Sequence, residues 1–126
     1  MKLLSKTEIA IELTALPCWS VKDNTLFRQL HFDSFGEAIQ FTQQLGQLAE
    51  QHNHHPDICI HYNQINLHLT TNDLQGISQK DFVLAKEIDT LRKKQDSMEW
   101  YMKNRWWIWS ITGVYIAYRL YLSIMM

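Results

Sequence analysis

The segment Glu50-Gln-His-Asn-His-His-Pro56 and the two short alternating runs after it decide the fold. Pro56 disfavours a helical conformation at His55, so the histidine cluster marks the passage from a helix to a strand. Each of the two following runs alternates apolar and polar residues, which is the period of a β-strand. The apolar residues are Ile58, Ile60 and Tyr62 in the first run and Ile65, Leu67 and Leu69 in the second. Two such runs joined by Asn63-Gln64 predict a β-hairpin.

A turn at Asn63-Gln64 also fixes the register of the predicted hairpin. Tyr62 would face Ile65, and each step outward keeps this pairing, so that Ile58 faces Leu69 and His55 faces Asn72. The end of the helix and the segment Thr70-Thr-Asn-Asp73 therefore meet at the open end of the hairpin. We expect a site there that combines imidazoles, hydroxyls, an amide and a carboxylate from two chain segments. A slip by one residue would turn the apolar side chains toward solvent, so their burial favours this pairing over a shifted one.

The rest of the first ninety residues predicts three helices and two more strands. Ser5 to Glu8 is a capping box that begins a helix ending by Pro17. Two strands, 18–22 and 25–32, follow around the turn dipeptide Asp23-Asn24. A second capping box, Ser34 to Glu37, begins a helix that runs to about His52, and Ser78 with Asp81 caps a third helix. The order αββαββα predicts an α+β fold, a four-stranded antiparallel sheet with helices packed on one face.

Composition limits the class of protein. With 126 residues, of which 46% are hydrophobic and 20% charged, the chain is long enough for one compact domain and an appendage. The net charge of −1 and the lack of a basic tract in the first ninety residues argue against nucleic-acid binding. We see no signal peptide at the N-terminus. Cys18 and Cys59, without CxxC spacing, are typical of a reduced cytoplasmic protein, although a disulfide stays open.

The C-terminal part differs from the rest, so we divide the chain into a domain over 1–95 and an extension over 96–126. The 21 residues from Trp106 to Met126 would reach about 31 Å as a helix, close to one hydrocarbon thickness. Tryptophans cluster at one end of this segment and basic residues flank it, whereas Arg119 counts against a clean span. Three interpretations stay open: a membrane-anchor helix over 106–126 that contacts lipid, an extra packing helix, and a non-native extension.

From about Leu13 to Leu91 the sequence resembles the pterin-4a-carbinolamine dehydratase family, also called 4a-hydroxytetrahydrobiopterin dehydratase. The resemblance rests on an ordered set of pieces: Cys18-Trp19, His31 to Phe35, Glu50 four residues before His54-His55-Pro56, Tyr62-Asn63, Leu69-Thr-Thr71, Gly76, and Ser78 to Asp81. It implies the αββαββα fold and association into homo-dimers or homo-tetramers.

The reaction implied by this resemblance removes water from a 4a-hydroxytetrahydropterin and gives the quinonoid dihydropterin. This step recycles the cofactor of the aromatic amino-acid hydroxylases and needs no metal or organic cofactor. The departing hydroxyl must be protonated and a ring nitrogen must lose a proton. Histidine suits both tasks, because its ordinary pKa of about 6.5 makes both protonation states accessible near neutrality.

The resemblance also implies roles for individual residues. His54 would carry the acid–base chemistry, and His55 and Asn72 would complete the catalytic set, with His55 orienting the pterin. Glu50 and Asp81 would hold or polarise the imidazoles, and Trp19 would border the pocket. The expected substrate-binding residues are Asn53, His54, His55, Thr70, Thr71, Asn72 and Asp73.

This chain departs from the family pattern at Asn72, where a third histidine is usual. An amide can donate a hydrogen bond to a leaving oxygen but cannot transfer a proton at neutral pH. We therefore expect reduced activity, with Asp73 as an alternative proton carrier. The other class of function that stays open is a non-catalytic pterin-binding or assembly module on the same fold.

Two plainer interpretations of the histidine cluster also stay open. It could be a solvated loop that ends a helix, and Asp81 could be a helix-capping carboxylate, with or without a place in the site. A metal site is a further alternative, but the spacing of its candidate ligands is not that of a zinc box. Those candidates are His52, His54, His55 and Cys59.

Overall fold

The computed structural model describes residues 1–125, apart from the side chains of 106–112 and 114–118. The chain divides into two compact units, Met1–Leu91 and Arg92–Met126. The domain boundary predicted after residue 95 falls inside the last helix. Each unit is described separately below.

The first unit has the element order αββαββα that the sequence predicts. The elements are α1 (Lys6–Leu13), β1 (Ser20–Lys22), β2 (Thr25–His31), α2 (Phe35–His52), β3 (Asp57–His61), β4 (Gln64–Leu69), a short 3-10 turn (Asn72–Leu74) and α3 (Gln79–Met125). All neighbouring strands are antiparallel, and their order in the sheet is β1-β2-β4-β3. The α+β prediction is confirmed.

Helix caps decide where α1 and α2 begin. Ser5 accepts a hydrogen bond from the Glu8 N–H, and the Glu8 carboxylate accepts one from the Ser5 N–H, which is the complete predicted capping box. At α2, Ser34 accepts from the Glu37 N–H. The Glu37 carboxylate accepts from the N–H of Asp33, one residue before the cap. Both helices thus satisfy orphan N–H groups with the residues that the sequence marks.

The hydrophobic core lies between the helices and one face of the sheet. Alternate positions of β2 and β4 are buried, and α2 and α3 present apolar side chains at helical spacing to the same cluster. The sheet contributes Leu26, Leu30, Ile65, Leu67 and Leu69, and the two helices contribute Ala38, Phe41, Leu45, Phe82, Ala85 and Ile88. The opposite sheet face carries exposed residues such as Gln29, Cys59 and His61.

The predicted register of the hairpin is wrong by two residues. In the structure Ile58 pairs with Leu67 and His61 pairs with Gln64, so the turn is Tyr62-Asn63. The Asn63 side chain donates to the Phe32 carbonyl at 2.9 Å, and the Phe32 N–H donates back to the Asn63 carbonyl at 2.8 Å. These two hydrogen bonds hold Asn63 at the end of β2, so the turn lies one residue earlier in the chain than predicted.

Tyr62 was expected on the apolar face, and this is a second error of the same origin. As a turn residue it has a φ of 54° and is 71% exposed. The slip is an even number of residues, so the remaining apolar side chains keep the face that the sequence assigns to them.

The second unit is formed by the helical residues from Arg92 onward. Arg92 pairs with Asp96 at 3.1 Å, and Met98, Trp100 and Met102 are exposed. Within the described residues, no helix contains an apolar stretch of the length and composition needed to cross a bilayer. The membrane-anchor helix, one of the three interpretations left open for 106–126, falls mostly outside the residues whose side chains are described.

Candidate functional site

The end of α2 is shaped by Asn53, which has a left-handed backbone conformation (φ 46°, ψ 41°). The Asn53 N–H donates to the Glu50 carbonyl, and the His54 N–H donates to the Ala49 carbonyl, each at 3.1 Å. This is the pattern of a Schellman cap, in which Asn is one of the few side chains that tolerate the left-handed position. The cap stops the helix and turns the chain at His54.

The facing wall is the connection from β4 to α3. The Thr71 N–H donates to the Gly76 carbonyl at 2.8 Å, which closes a loop around the 3-10 turn. A Cβ at Gly76 would lie 2.8 Å from Leu3 Cδ2, so a side chain here would require the Leu3 side chain to move. The loop holds Thr71 and the residues after it beside the end of α2.

These two segments enclose a cavity of about 220 Å³. Its lining consists of Asn53, His54, His55, Thr70, Thr71, Asn72, Asp73 and Lys80. The structure thus brings together all seven residues that the sequence expects in the substrate-binding set. Lys80, in the first turn of α3, is the one lining residue that the sequence analysis missed, because the capping motif from Ser78 to Asp81 specifies its two ends and not Lys80.

His54 is held by a buried carboxylate. Its Nε2 lies 2.6 Å from Asp81 Oδ1, and Asp81 is fully buried while the His54 side chain is 11% exposed. The second oxygen of Asp81 accepts hydrogen bonds from the Thr71 hydroxyl and the Ser78 N–H, each at 2.9 Å. Asp81 therefore caps α3 and orients the imidazole at the same time. When Nε2 donates to this carboxylate, Nδ1 of the neutral ring is the acceptor.

His55 has a looser partner. Its Nε2 lies 2.8 Å from Glu50 Oε1, but the two side chains are 58% and 77% exposed. Water competes for such an exposed pair, which is worth little in free energy. The two histidines therefore differ: the imidazole of His54 is fixed by a buried partner, whereas the imidazole of His55 is exposed to solvent.

Trp19 does not lie where the sequence expects it. Its indole is 5% exposed in the core and donates to Asp89 Oδ1 at 2.7 Å. Arg28 forms an ion pair with the same carboxylate oxygen. Trp19 is held between the sheet and α3 by these contacts, so it is not among the side chains that line the cavity.

The alternative of a metal site depends on how the possible ligands are grouped in the structure. Among the residues whose side chains are described, no three His, Cys, Asp or Glu side chains are grouped so that they could hold an ion. Cys59 lies on the exposed sheet face with its Sγ 3.2 Å from His61 Nε2, and both cysteines are free thiols.

Comparison with known proteins gives a consistent result. Residues 2–91 match the family model described as pterin 4 alpha carbinolamine dehydratase. A relative from Sulfurisphaera tokodaii is 43% identical over 91 residues, which cover 72% of this chain and 98% of that protein. A relative from Picosynechococcus sp. is 47% identical over 88 residues, 70% of this chain and 96% of that protein. Both are provisionally named pterin-4-alpha-carbinolamine dehydratase.

A solved structure is similar over the same part of the chain. It is the crystal structure of a transcriptional coactivator/pterin dehydratase from Brucella melitensis, with a TM-score of 0.68 and 27% identity. The match covers 71% of this chain and 98% of the Brucella chain. The family model, the two relatives and this fold agree, and the chain belongs to the pterin 4 alpha carbinolamine dehydratase family.

Proposed function

We propose that the chain dehydrates 4a-hydroxytetrahydropterin to the quinonoid dihydropterin, with His54 as the acid–base residue. The observation that carries this proposal is the imidazole of His54, which is fixed by buried Asp81 at the wall of a polar cavity. A proton-transfer residue needs a defined orientation toward the substrate, and the Asp81 carboxylate supplies it.

The dehydration requires two proton transfers and no redox step. The bond between C4a and the hydroxyl oxygen breaks, and the oxygen leaves with the bonding electrons and one added proton, as water. The adjacent ring nitrogen loses its proton, and the freed electron pair forms the carbon–nitrogen double bond. Nδ1 of His54 accepts the proton of the ring nitrogen and delivers it to the departing hydroxyl, while Asp81 stabilises the imidazolium that forms in between.

The remaining lining residues bind and orient the bicyclic ring. Thr70, Thr71, Asn53 and Asp73 offer hydroxyl, amide and carboxylate groups around the cavity, and the ring of His55 can reorient against Glu50. Polar groups of this kind fix a ligand's orientation in a small cavity. No metal or organic cofactor takes part in this scheme.

Asn72 lines the same cavity at the position where the family pattern has a third histidine. Its amide can donate a hydrogen bond to the departing oxygen but cannot supply the proton. The proposed enzyme is therefore slower than one with a histidine at this position. Asn72→His should raise the rate, by about 10²- to 10⁴-fold if one general acid is fully restored.

The test is the dehydration rate of freshly generated 4a-hydroxytetrahydropterin, measured by absorbance with the protein and with buffer alone. We expect a rate above buffer that falls by about 10²-fold or more in His54→Ala and stays measurable above buffer. His61→Ala is the matched control, because His61 is exposed on the outer sheet face and should leave the rate unchanged. A wild-type rate equal to buffer would refute the enzyme proposal.

A second candidate function is a non-catalytic pterin-binding or assembly module. Asn72 in place of a histidine favours it, and the similar Brucella protein is described as a transcriptional coactivator as well as a pterin dehydratase. Pterin binding without turnover would identify this case. For either function we propose a cytoplasmic homo-dimer or homo-tetramer, and for the enzyme a place in recycling the pterin cofactor of aromatic amino-acid hydroxylases.

A further inference from the structure

A second cavity adjoins the candidate site. It has a volume of about 210 Å³ and is lined by Met1, His52, His54, Gln79, Lys80 and Val83. His54 and Lys80 line both cavities, so the two cavities meet at these side chains. The volume exceeds what a carboxylate or phosphate group needs.

The walls of the second cavity are held by the first unit's own contacts. The Leu4 N–H donates to the Ile77 carbonyl at 2.9 Å, and Leu3 bridges Ser78, which fixes the N-terminal segment beside the start of α3. Met1 Sδ lies 3.4 Å from the Ser78 hydroxyl. His52 is the last residue of α2, on the other side of the left-handed cap from His54.

The charges of this lining have one sign. It contains no Asp or Glu, whereas Lys80 and His52 can both be cationic. Within the part of the chain whose side chains are described, Lys80 forms no ion pair with a carboxylate. Met1 and Val83 supply apolar wall between these groups. A group that enters this cavity therefore meets an ammonium and an imidazole without a competing anion.

We propose that the second cavity receives the ring substituent of the pterin and selects an anionic substituent, a carboxylate or a phosphate, over a neutral one. The proposal rests on the proposed pterin function and names the substrate class of that site. Lys80 is the specificity-determining residue, because its ammonium is available to the substituent at the junction of the two cavities.

The test compares the binding of two pterins that cannot react, pterin-6-carboxylate and 6-hydroxymethylpterin, by quenching of their fluorescence at low salt. We expect the wild type to bind the carboxylate about two- to five-fold more tightly, which is the range for one exposed ion pair. The preference should shrink at high salt, since exposed charges are screened. Lys80→Met should abolish it.

Two further variants isolate the second cavity. Val83 is 42% exposed and lines only that cavity, so Val83→Glu should fold and should reverse the preference toward the neutral pterin. Lys86→Met is the matched control, because Lys86 lies on the same helix and pairs with Glu12 at 3.1 Å. It should keep the wild-type preference.

The outcomes separate this proposal from the one on which it rests. Equal binding of the two pterins by the wild type, or a preference that survives in Val83→Glu, would overturn the anionic subsite and leave the pterin site standing. Failure of both pterins to bind would overturn the proposed function and the subsite together.

Discussion

Replacing Asp81 tests how much of the site's stability depends on one carboxylate. Asp81→Ala removes the acceptor for the Ser78 N–H and the Thr71 hydroxyl, and these two residues are 0% and 7% exposed. The Thr71 hydroxyl can still donate to the Ser78 hydroxyl, 2.6 Å away, whereas the Ser78 N–H loses its acceptor. A buried donor left without a partner costs about 1–3 kcal/mol, which is the loss we expect. The lost hydrogen bond to His54 adds less to the destabilisation, because His54 lines the cavity and can bond to water there instead.

The matched variants refine this prediction. Asp81→Asn keeps an oxygen for the Thr71 and Ser78 donors, but it loses the charge and replaces the oxygen that faces His54 with an amide N–H donor. We expect it to cost about 1–2 kcal/mol. Asp73→Ala removes an exposed carboxylate from the same cavity and should change stability by less than about 0.5 kcal/mol.

Urea denaturation at neutral pH measures the free energies of unfolding, provided that the slope with urea is the same in each variant. The expected order of destabilisation is Asp81→Ala, then Asp81→Asn, then Asp73→Ala. A loss below about 1 kcal/mol in Asp81→Ala would refute the argument, because the buried Ser78 N–H cannot lose its acceptor so cheaply.

Three further predictions concern other parts of the first unit. Asp89→Ala should cost about 3–5 kcal/mol in urea denaturation, because it leaves the largely buried Arg28 without its carboxylate. Asn53→Ala should lower the free energy of unfolding by about 1 kcal/mol, because alanine is strained in the left-handed conformation of this cap. Asn53→Gly should leave it unchanged, because glycine adopts that conformation without strain. The pKa of Glu8 is lowered mainly by the hydrogen bond that its carboxylate accepts from the Ser5 N–H, and further by the hydrogen bond from Lys2. The capping contribution of Glu8 is therefore present above the unfolded-state pKa and is lost as the pH falls through the folded-state value, and NMR titration should show a midpoint below that of an unfolded peptide.

The fold was largely predictable because its signals are local. Capping boxes, alternating strands and helical stripes each depend on a few neighbouring residues, and these gave the element order. The hairpin register was not predictable in the same way. It depends on Asn63, whose side chain and backbone bond to Phe32 at the end of a different strand. No pattern within the hairpin itself reports that contact.

The residues of the site were also predictable, but their contacts were not. The resemblance names the histidines and the segment Thr70–Asp73, and the structure gathers them around one cavity. Lys80 reaches the same cavity only because the turn before α3 brings it there. Trp19 was misplaced because a tryptophan in the connection between α1 and β1 can face a pocket or the core, and the hydrogen bond from its indole to Asp89 holds it in the core.

The central claim is that dehydration proceeds through His54 as Asp81 orients it. The most direct test is a double-mutant cycle on the dehydration rate with His54→Ala, Asp81→Asn and the double variant. If Asp81 acts only through the imidazole, the double variant will be no slower than His54→Ala alone. Losses that multiply in the double variant would contradict the claim, because Asp81 would then contribute to the reaction without His54.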